Sequence, residues 1–431
     1  MVHSQSRSRT GLTAVLGLLA LSFVTPTTVQ NGELSEKEQQ AIGKSIAKYT
    51  NPKSSEKDKE KAKGEISSAL EKYGKKKGAK EASDALTLGL SLTHDLGKAL
   101  QYSGDYKSSF KGGKSLSEEI EAYAPAKVAY GLSLPSTYKP SGPALPLILC
   151  IPEFKDGKPM SPSEFLVEHL TDSAIRDGAA IAVVPMPAAK DEWNVLDVAA
   201  RRGGITAAMF TWGDVATKVP IDASRTFVLG RGFDGVATAM QIAMRYPHRF
   251  AGVVGMAGDA PTDVAPTNFH NLPTYFVGAG ANATAFEGKV KEAGFNNCTL
   301  KADGTAADVW SWISQTTRVA NPLKVSFLPG NPFPDRAYWV RIPATAGLTN
   351  TITAEADRAT NTIRVTAVGV RNVTLYFNSA IVDFTKEITV DVNGKSRKEK
   401  IVPTVEDMLS LLSSGDNGLV FVAKRVYDVS E

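Results

Sequence analysis

The chain has 431 residues, of which 42% are hydrophobic and 22% charged, so it falls in the globular class and is long enough for two or three domains. Its formal net charge of +4 comes from 49 basic and 45 acidic residues, a balance that argues against a nucleic-acid-binding protein. The two cysteines, Cys150 and Cys298, are too few for a disulfide framework. Each lies in an apolar or strand-like context that favours buried packing.

The first thirty residues have the layout of a signal peptide. Arg7 and Arg9 precede an apolar run over residues 12–24. This run is shorter than the roughly 20 residues that span a bilayer, and no clean A-x-A cleavage site follows it. We therefore expect export to the periplasm, the envelope or the extracellular space. An uncleaved N-terminal anchor, which would attach the protein to a membrane or envelope, stays open as the alternative.

Residues 31–120 are predicted to be a helical, Lys/Glu-rich segment that ends in a linker. Residues 33–80 contain no valine and few aromatic side chains, a composition that favours solvated helix or disorder over sheet. Leucines 86, 90, 96 and 100 then recur at near-helical spacing and predict a packed helix. Residues 103–117 are dense in Gly, Ser and Lys and predict a linker.

Over residues 121–328, short apolar runs alternate with amphipathic segments of helix length. This pattern is typical of parallel βα units and predicts β-α order throughout. The predicted strands, each with the continuous hydrophobicity of a buried parallel strand, are residues 145–152, 179–187, 226–230, 250–258 and 272–280. A last helix near residues 306–318 places Val309, Trp312 and Ile313 on one face and closes the domain.

Residues 329–431 are predicted to form a small β-rich domain. Alternating runs without intervening helices, separated by turn residues such as Asn361 and Asn393-Gly394, indicate antiparallel hairpins. A short helix over residues 405–412 and a last strand over residues 419–429 complete the domain.

The segment around Gly230-Arg231-Gly232-Phe233-Asp234 has the texture of a strand that ends in a sharp turn and passes directly into a helix. It resembles the nucleophile elbow of α/β-hydrolases. Over roughly residues 126–318 the chain is similar to secreted esterases of the polyhydroxybutyrate depolymerase and feruloyl esterase type and to predicted peptidases. The resemblance implies an α/β-hydrolase fold, a mostly parallel sheet flanked by helices, with the helical N-terminal segment and the β-rich C-terminal domain added.

The resemblance also implies a Ser-Asp-His triad, and this chain departs from it at every expected position. Gly232 occupies the nucleophile position and has no side chain that could attack a carbonyl. Asn282 is the equivalent of the triad acid, and its neutral amide cannot stabilise an imidazolium as a carboxylate would. Residues 300–308, where the triad histidine is expected, contain no histidine. Pro152 and Glu153 replace the glycine-rich loop that would bind an oxyanion, and both are adverse to acyl transfer.

Other side chains near the elbow are candidates for a remaining role. Asp234 is the fallback nucleophile, since carboxylates form covalent intermediates at such turns, although Val236 would then crowd the turn. A helix N-terminal carboxylate is the simpler interpretation of Asp234. Arg231, Glu153 and Phe233 are candidate binding residues at strand ends, with an ion pair between Arg231 and Glu153 as the alternative.

The histidines that follow the elbow, His248 and His270, are interpreted as a surface residue and a loop residue that contacts backbone. The leading hypothesis is an exported, non-catalytic α/β-hydrolase homologue with a binding or scaffolding role and an unknown ligand or protein partner. The alternatives are an active hydrolase of esters or peptides with an unusual nucleophile, and an envelope-associated structural protein. No P-loop, dinucleotide-binding turn or metal-ligand cluster is visible in the sequence, so no cofactor and no metal are implied.

Overall fold

The computed structural model describes residues 34–104, 106, 109–123, 126–169, 173–198, 201–329, 335–342, 350–413 and 418–429. The predicted signal peptide lies outside these residues, so export stays a prediction. The described part of the chain begins with a group of helices: α1 (Glu36–Thr50), α2 (Glu56–Lys75), α3 (Ala82–Ala85) and α4 (Leu90–Ala99). Ser35 and Ser55 cap α1 and α2 by accepting hydrogen bonds from the backbone N–H groups of Glu38 and Asp58. Residues 36–75 are therefore largely helical.

The middle of the chain alternates strands with helices. The strands are β1 (Ser115–Glu119), β2 (Ala129–Ser133), β3 (Leu145–Ile151), β4 (Phe154–Lys155), β5 (Lys158–Pro159), β6 (Ala180–Val183), β7 (Asp197–Val198), β8 (Arg201–Arg202), β9 (Ile221–Arg231), β10 (Gly252–Met256), β11 (Thr274–Val277) and β12 (Cys298–Lys301). The helices are α5 (Pro162–His169), α6 (Ser173–Arg176), α7 (Gly204–Lys218), α8 (Gly232–Arg245), α9 (Ala281–Glu292) and α10 (Ala306–Gln315). All five strands predicted from continuous hydrophobicity are present here.

The main sheet has eight strands in the order β1-β2-β6-β3-β9-β10-β11-β12. Its first two neighbouring pairs, β1 with β2 and β2 with β6, are antiparallel, and the pairs from β6 to β12 are parallel. One apolar cluster covers each face, so the inner strands are buried on both sides, as their continuous hydrophobicity predicts. Strand order, strand directions and flanking helices together are those of an α/β-hydrolase fold, which confirms the predicted fold class.

Two details of the predicted organisation were wrong at the start of this sheet. The linker predicted over residues 103–117 overlaps β1, which pairs along its whole length with β2. The β-α order predicted throughout also fails here, because β1, β2 and β3 follow one another without an α-helix between them. The linker prediction failed because β1 has the polar sequence SLSEE. It lies at the edge of the sheet, where a polar strand is tolerated.

The C-terminal region contains two further sheets. Its elements are β13 (Lys324–Phe327), β14 (Arg336–Ala337), β15 (Val340–Arg341), β16 (Thr351–Asp357), β17 (Thr362–Val368), β18 (Asn372–Phe377), β19 (Ile388–Val392), β20 (Lys395–Glu399), α11 (Val405–Leu412) and β21 (Ala423–Asp428). The sheet orders are β13-β16-β17-β19-β20 and β14-β15-β18-β21. The prediction of antiparallel hairpins holds for most pairs and is wrong for β17 and β19, which run parallel because β18 leaves for the other sheet.

The N-terminal helices and the C-terminal sheets share one hydrophobic core. Ile66 and Leu70 of α2 belong to the same buried cluster as Trp339, Ile363 and Val390 from the C-terminal sheets. The main sheet has its own separate clusters. Segments that lie at opposite ends of the chain therefore stabilise each other, although the sequence indicates no link between them.

Candidate functional site at the carboxyl edge of the main sheet

The turn from β9 into α8 lies at the carboxyl edge of the parallel strands, and Gly232 forms its apex. The backbone of Gly232 has φ +65, a left-handed conformation that glycine adopts at the lowest cost. A Cβ atom placed on Gly232 would lie 2.8 Å from the Cβ of Glu153 and 3.0 Å from its Oε2. The space in which a nucleophilic side chain would stand is therefore taken by Glu153.

Further glycines allow strand and helix to approach each other closely at this turn. A Cβ on Gly230 would lie 2.2 Å from the carbonyl oxygen of Gly235, and a Cβ on Gly235 would lie 2.8 Å from the carbonyl oxygens of Ile151 and Pro152. Any larger residue would push α8 away from the ends of β9 and β3. The sequence prediction of a sharp strand–turn–helix elbow is confirmed, and its glycines are explained by backbone packing.

A small hairpin takes the place of the loop that follows the third strand of the sheet. Strands β4 and β5 are joined by Asp156 and Gly157, which have φ values of 52 and 76. Two successive residues with positive φ are typical of a tight two-residue hairpin turn. Glu153 stands at the base of this hairpin, where its carbonyl oxygen accepts a hydrogen bond of 3.0 Å from the backbone N–H of Met160. The hairpin thereby holds the Glu153 side chain over the elbow.

Glu153, His169 and Arg231 form a polar cluster beside the elbow. His169 Nε2 lies 3.0 Å from Glu153 Oε1, within hydrogen-bond distance, and Arg231 Nε lies 3.7 Å from the same oxygen. The side chains of Glu153 and Arg231 are each 27% exposed, so the cluster is open to solvent on one side. The ion pair that the sequence left as an alternative is present, and a histidine from the end of α5 joins it.

The pKa of His169 is lowered, first because burial disfavours the charged imidazolium and then because Arg231 repels it, while Glu153 acts in the opposite direction. Folded His169 therefore holds its proton less tightly than an unfolded histidine, whose pKa is near 6.5. The stability that this shift contributes is present above pH 6.5 and is lost as the pH falls through the folded value.

We expect Arg231→Gln to raise the pKa of His169 and Glu153→Gln to lower it further, because each change removes one charge of known sign. The measurement is an NMR titration of the imidazole signals, which is practical in a chain with five histidines. The spectrum of His169→Gln assigns the resonance. A pKa that moves down in Arg231→Gln would contradict the described cluster.

Asp234 lies in the first turn of α8, and its Oδ1 is 2.7 Å from Lys190 Nζ. It is two residues past the strained apex, in helical backbone, so it does not occupy the position from which an elbow nucleophile attacks. A carboxylate in the first helical turn also interacts favourably with the helix dipole. Phe233, between the apex and Asp234, is 72% exposed and is the aromatic group that this edge presents to solvent.

The two other triad positions carry different groups. Asn282 lies in the first turn of α9 with an exposed side chain, and its backbone N–H donates to Asp259 Oδ2 at 3.0 Å. Asp259 also accepts hydrogen bonds from the backbone N–H groups of Ala260 and Ala283, so it acts as a cap for α9. The loop from β12 to α10 is short, because Thr305 already caps α10, and it contains no histidine.

The structure corrects the interpretation of His248. This residue is only 3% exposed and presents its ring edge-on to Tyr338, so it is not a surface residue. His270 stacks on Phe295 at a centroid distance of 4.0 Å. Both histidines precede their strands, β10 and β11, and so lie at the amino edge of the sheet, opposite the elbow.

Sequence analysis missed His169, Lys190 and Asp259. Only histidines after the elbow were considered, whereas His169 comes from the helix that follows the third strand of the main sheet. No local sequence signal marks His169, because its contact with Glu153 depends on the path that α5 takes across the sheet. Asp259 follows Gly258 directly after β10. The triad acid was expected in a similar Gly-Asp turn, but after the next strand, β11.

Among the described residues, no group of three or more His, Cys, Asp or Glu side chains could hold a metal ion. Within the same part of the chain, no helix is both long enough and apolar enough to cross a membrane.

No protein-family model matches the chain, and no curated protein matches it either. Among solved structures, the chain is similar to a thermostable esterase, with 11% identity and a TM-score of 0.37 over 48% of this chain and 63% of that one. It is also similar to MPT51 (FbpC1) of Mycobacterium tuberculosis, with 12% identity and a TM-score of 0.36 over 47% of this chain and 95% of that one. A third similarity is to esterase Est2 of Thermogutta terrifontis, with 11% identity and a TM-score of 0.33 over 46% and 84% of the two chains. The strand order and the elbow make the region from β1 to α10 an α/β-hydrolase fold.

Proposed function

We propose that this protein is an exported, non-catalytic relative of esterases of the polyhydroxybutyrate depolymerase and feruloyl esterase type, and that it works by binding. The observation that carries the proposal is the position of Glu153, whose side chain stands directly over Gly232 where a nucleophile would be. A carboxylate at this point also disfavours the negative charge that develops in acyl transfer. The elbow is therefore a packed structural turn with no group to attack a carbonyl.

The same edge has features suited to binding. Phe233 is 72% exposed. Arg231, two residues before it, belongs to the partly exposed polar cluster with Glu153 and His169. Open α/β sheets bind their ligands at the carboxyl ends of the strands, where these groups lie. An exposed aromatic ring beside a charged pair fits a partner that offers an apolar group and a polar one.

The alternative is a hydrolase that uses Asp234 as nucleophile. It requires a free carboxylate at the apex of the turn. Asp234 instead lies in helical backbone and forms an ion pair with Lys190. The geometry thus favours the non-catalytic proposal.

The test is hydrolysis of p-nitrophenyl and feruloyl esters by the purified wild-type protein and by Asp234→Ala. We expect neither protein to hydrolyse any of these esters faster than buffer alone, whatever the length of the acyl group. A third protein, Gly232→Ser with Glu153→Gly, supplies a hydroxyl and the space for it. We expect it to remain inactive as well, because the loop from β12 to α10 contains no histidine to act as base.

Two outcomes would overturn the proposal. Wild-type turnover that Asp234→Ala abolishes would make Asp234 the nucleophile of an active hydrolase. Wild-type turnover that survives Asp234→Ala but disappears in His169→Gln would place an unrecognised catalytic centre in the cluster at Glu153.

A further inference from the structure

The last strand of the five-stranded C-terminal sheet is β20, and its side chains lie in solvent. It pairs along its whole length with β19 in antiparallel register, and within the described part of the chain no second strand pairs with it. Asn393 and Gly394, with φ values of 51 and 85, form the tight turn that joins the two strands. Residues 395–398 and Lys400 are exposed. The outer side of β20 is therefore a sheet edge, where backbone N–H and C=O groups can pair with another chain.

Residues 395–400, called the β20 edge below, carry mostly basic side chains. Four of the six are basic and one is acidic, so this stretch has a net positive charge. Side chains alternate between the two faces of a strand, which places Lys395 and Arg397 on one face and Lys398 on the other. Positive charge thus borders the edge on both faces of the sheet.

Neutral groups hold two of these cations. The guanidinium of Arg397 lies 5.3 Å from the ring centroid of Tyr427. Lys400 donates from Nζ to the carbonyl oxygen of Phe384 at 2.7 Å. Because neither a ring nor a carbonyl group has a net charge, these contacts position the two cations and leave their formal charges intact.

The acidic side chains of the hairpin are engaged with groups of the protein itself. Glu399 accepts a hydrogen bond of 2.7 Å from the hydroxyl of Tyr427, and its Oε2 lies 3.7 Å from Arg425 Nε. Asp391, on β19, accepts a hydrogen bond from the hydroxyl of Ser396. An acidic partner at the β20 edge would therefore meet carboxylates that already have partners, beside lysines that are exposed.

The chemistry of the hairpin discriminates between kinds of partner. A second copy of the β20 edge would set basic side chains against basic ones, which is unfavourable in paired strands. Residues 388–400 contain no aromatic side chain on which a nucleic-acid base could stack. None of the exposed large apolar side chains in the described part of the chain lies on β19 or β20, so the hairpin offers nothing to insert into lipid. An acidic, extended polypeptide matches both the charge and the backbone groups of the edge.

We propose that the β20 edge binds an acidic, extended segment of a partner protein, which joins the five-stranded sheet as an additional strand. The backbone of the segment pairs with the outer N–H and C=O groups of β20. Its acidic side chains, about 7 Å apart at alternate positions, reach the basic side chains on each face. The surface shares no residue with the elbow, so the proposal holds whatever the elbow binds.

The test is fluorescence anisotropy of the purified protein with two labelled peptides of equal charge. The first is Glu-Thr-Glu-Thr-Thr-Glu-Thr-Glu, and the second has a pair of prolines in place of the two central threonines. The proline pair removes one N–H group from each of the two alternating sets, so neither side of the second peptide can form a complete ladder. We expect saturable binding of the first peptide and binding at least about tenfold weaker for the second. Hydrogen exchange in residues 395–400 should become slower with the first peptide.

Two double variants test the role of the lysines. Lys395→Gln with Lys398→Gln is expected to weaken binding of the first peptide about tenfold, since each exposed ion pair contributes about threefold. Lys57→Gln with Lys61→Gln is the matched control, because both are exposed lysines on α2 and the change in net charge is the same. The control should bind the first peptide as the wild type does.

Several results would overturn the proposal. One is absence of saturable binding of the first peptide. Another is equal binding of the two peptides, which would indicate a general attraction for anions without strand pairing. Equal losses in the two double variants would place the binding elsewhere on the protein. Tighter binding of an oligothymidylate or of phosphatidylglycerol vesicles than of the first peptide would assign the surface to a nucleic acid or a membrane instead.

Discussion

Replacing Gly232 by alanine is expected to lower the free energy of unfolding by about 2–4 kcal/mol. About 1–2 kcal/mol comes from forcing a residue with a Cβ into left-handed backbone, since Gly232 has φ +65. The remainder comes from overpacking, because the new Cβ would lie 2.8 Å from the Cβ of Glu153. Denaturant unfolding monitored by circular dichroism measures the change.

Two further variants make this prediction specific. Gly213→Ala, inside α7, meets no atom within 4 Å and is expected to be neutral or to stabilise the protein by about 0.5–1 kcal/mol. Glu153→Gly removes the clashing Cβ. It should therefore lower the free energy of unfolding less in the Gly232→Ala background than in the wild-type protein. Glu153→Ala keeps the Cβ and should give no such relief. Equal costs of Glu153→Gly in both backgrounds would show that Glu153 does not fill the space above the elbow.

Replacing Leu70 by alanine in α2 is expected to lower the free energy of unfolding by about 3 kcal/mol. Leu70 is fully buried in the cluster that the N-terminal helices share with the C-terminal sheets. The loss of stability should therefore reach strands about 300 residues away in the chain, such as β17 and β18. Hydrogen exchange measured by mass spectrometry would show faster exchange in those strands than in β9 and β10, which belong to the other cores.

Leu90→Ala is the matched control for this change, because it makes the same substitution in a neighbouring helix at a side chain that is 44% exposed. We expect it to lower the free energy of unfolding by about 0.5 kcal/mol or less. Faster exchange confined to α1 and α2 in Leu70→Ala would contradict a shared core, and would make the helices a separate unit that the C-terminal sheets do not need.

Each part of the candidate site was predictable to a different degree. The elbow, with Gly232 at its apex and Asp234 in the first helical turn, follows from a local pattern of glycines and from the apolar runs on either side. The pairing of Arg231 with Glu153 was predicted only as an alternative, from the rule that strand ends meet at one edge of a parallel sheet. His169 was missed, because its approach to Glu153 depends on the direction in which α5 returns across the sheet.

Local sequence determined the elements of this protein and the identity of the main fold. Continuous apolar runs specify strands buried on both faces, and the glycines at 230, 232 and 235 specify a turn that larger residues cannot enter. Only the tertiary structure decided which distant groups meet. The N-terminal helices and the C-terminal sheets bury one another, and Ser379 Oγ donates to the carbonyl oxygen of Leu86 across 293 residues of chain. The physical reason is that any complementary surface can bury an apolar face or pair with a buried polar group. The partner of such a face is therefore determined by the packing of the whole chain.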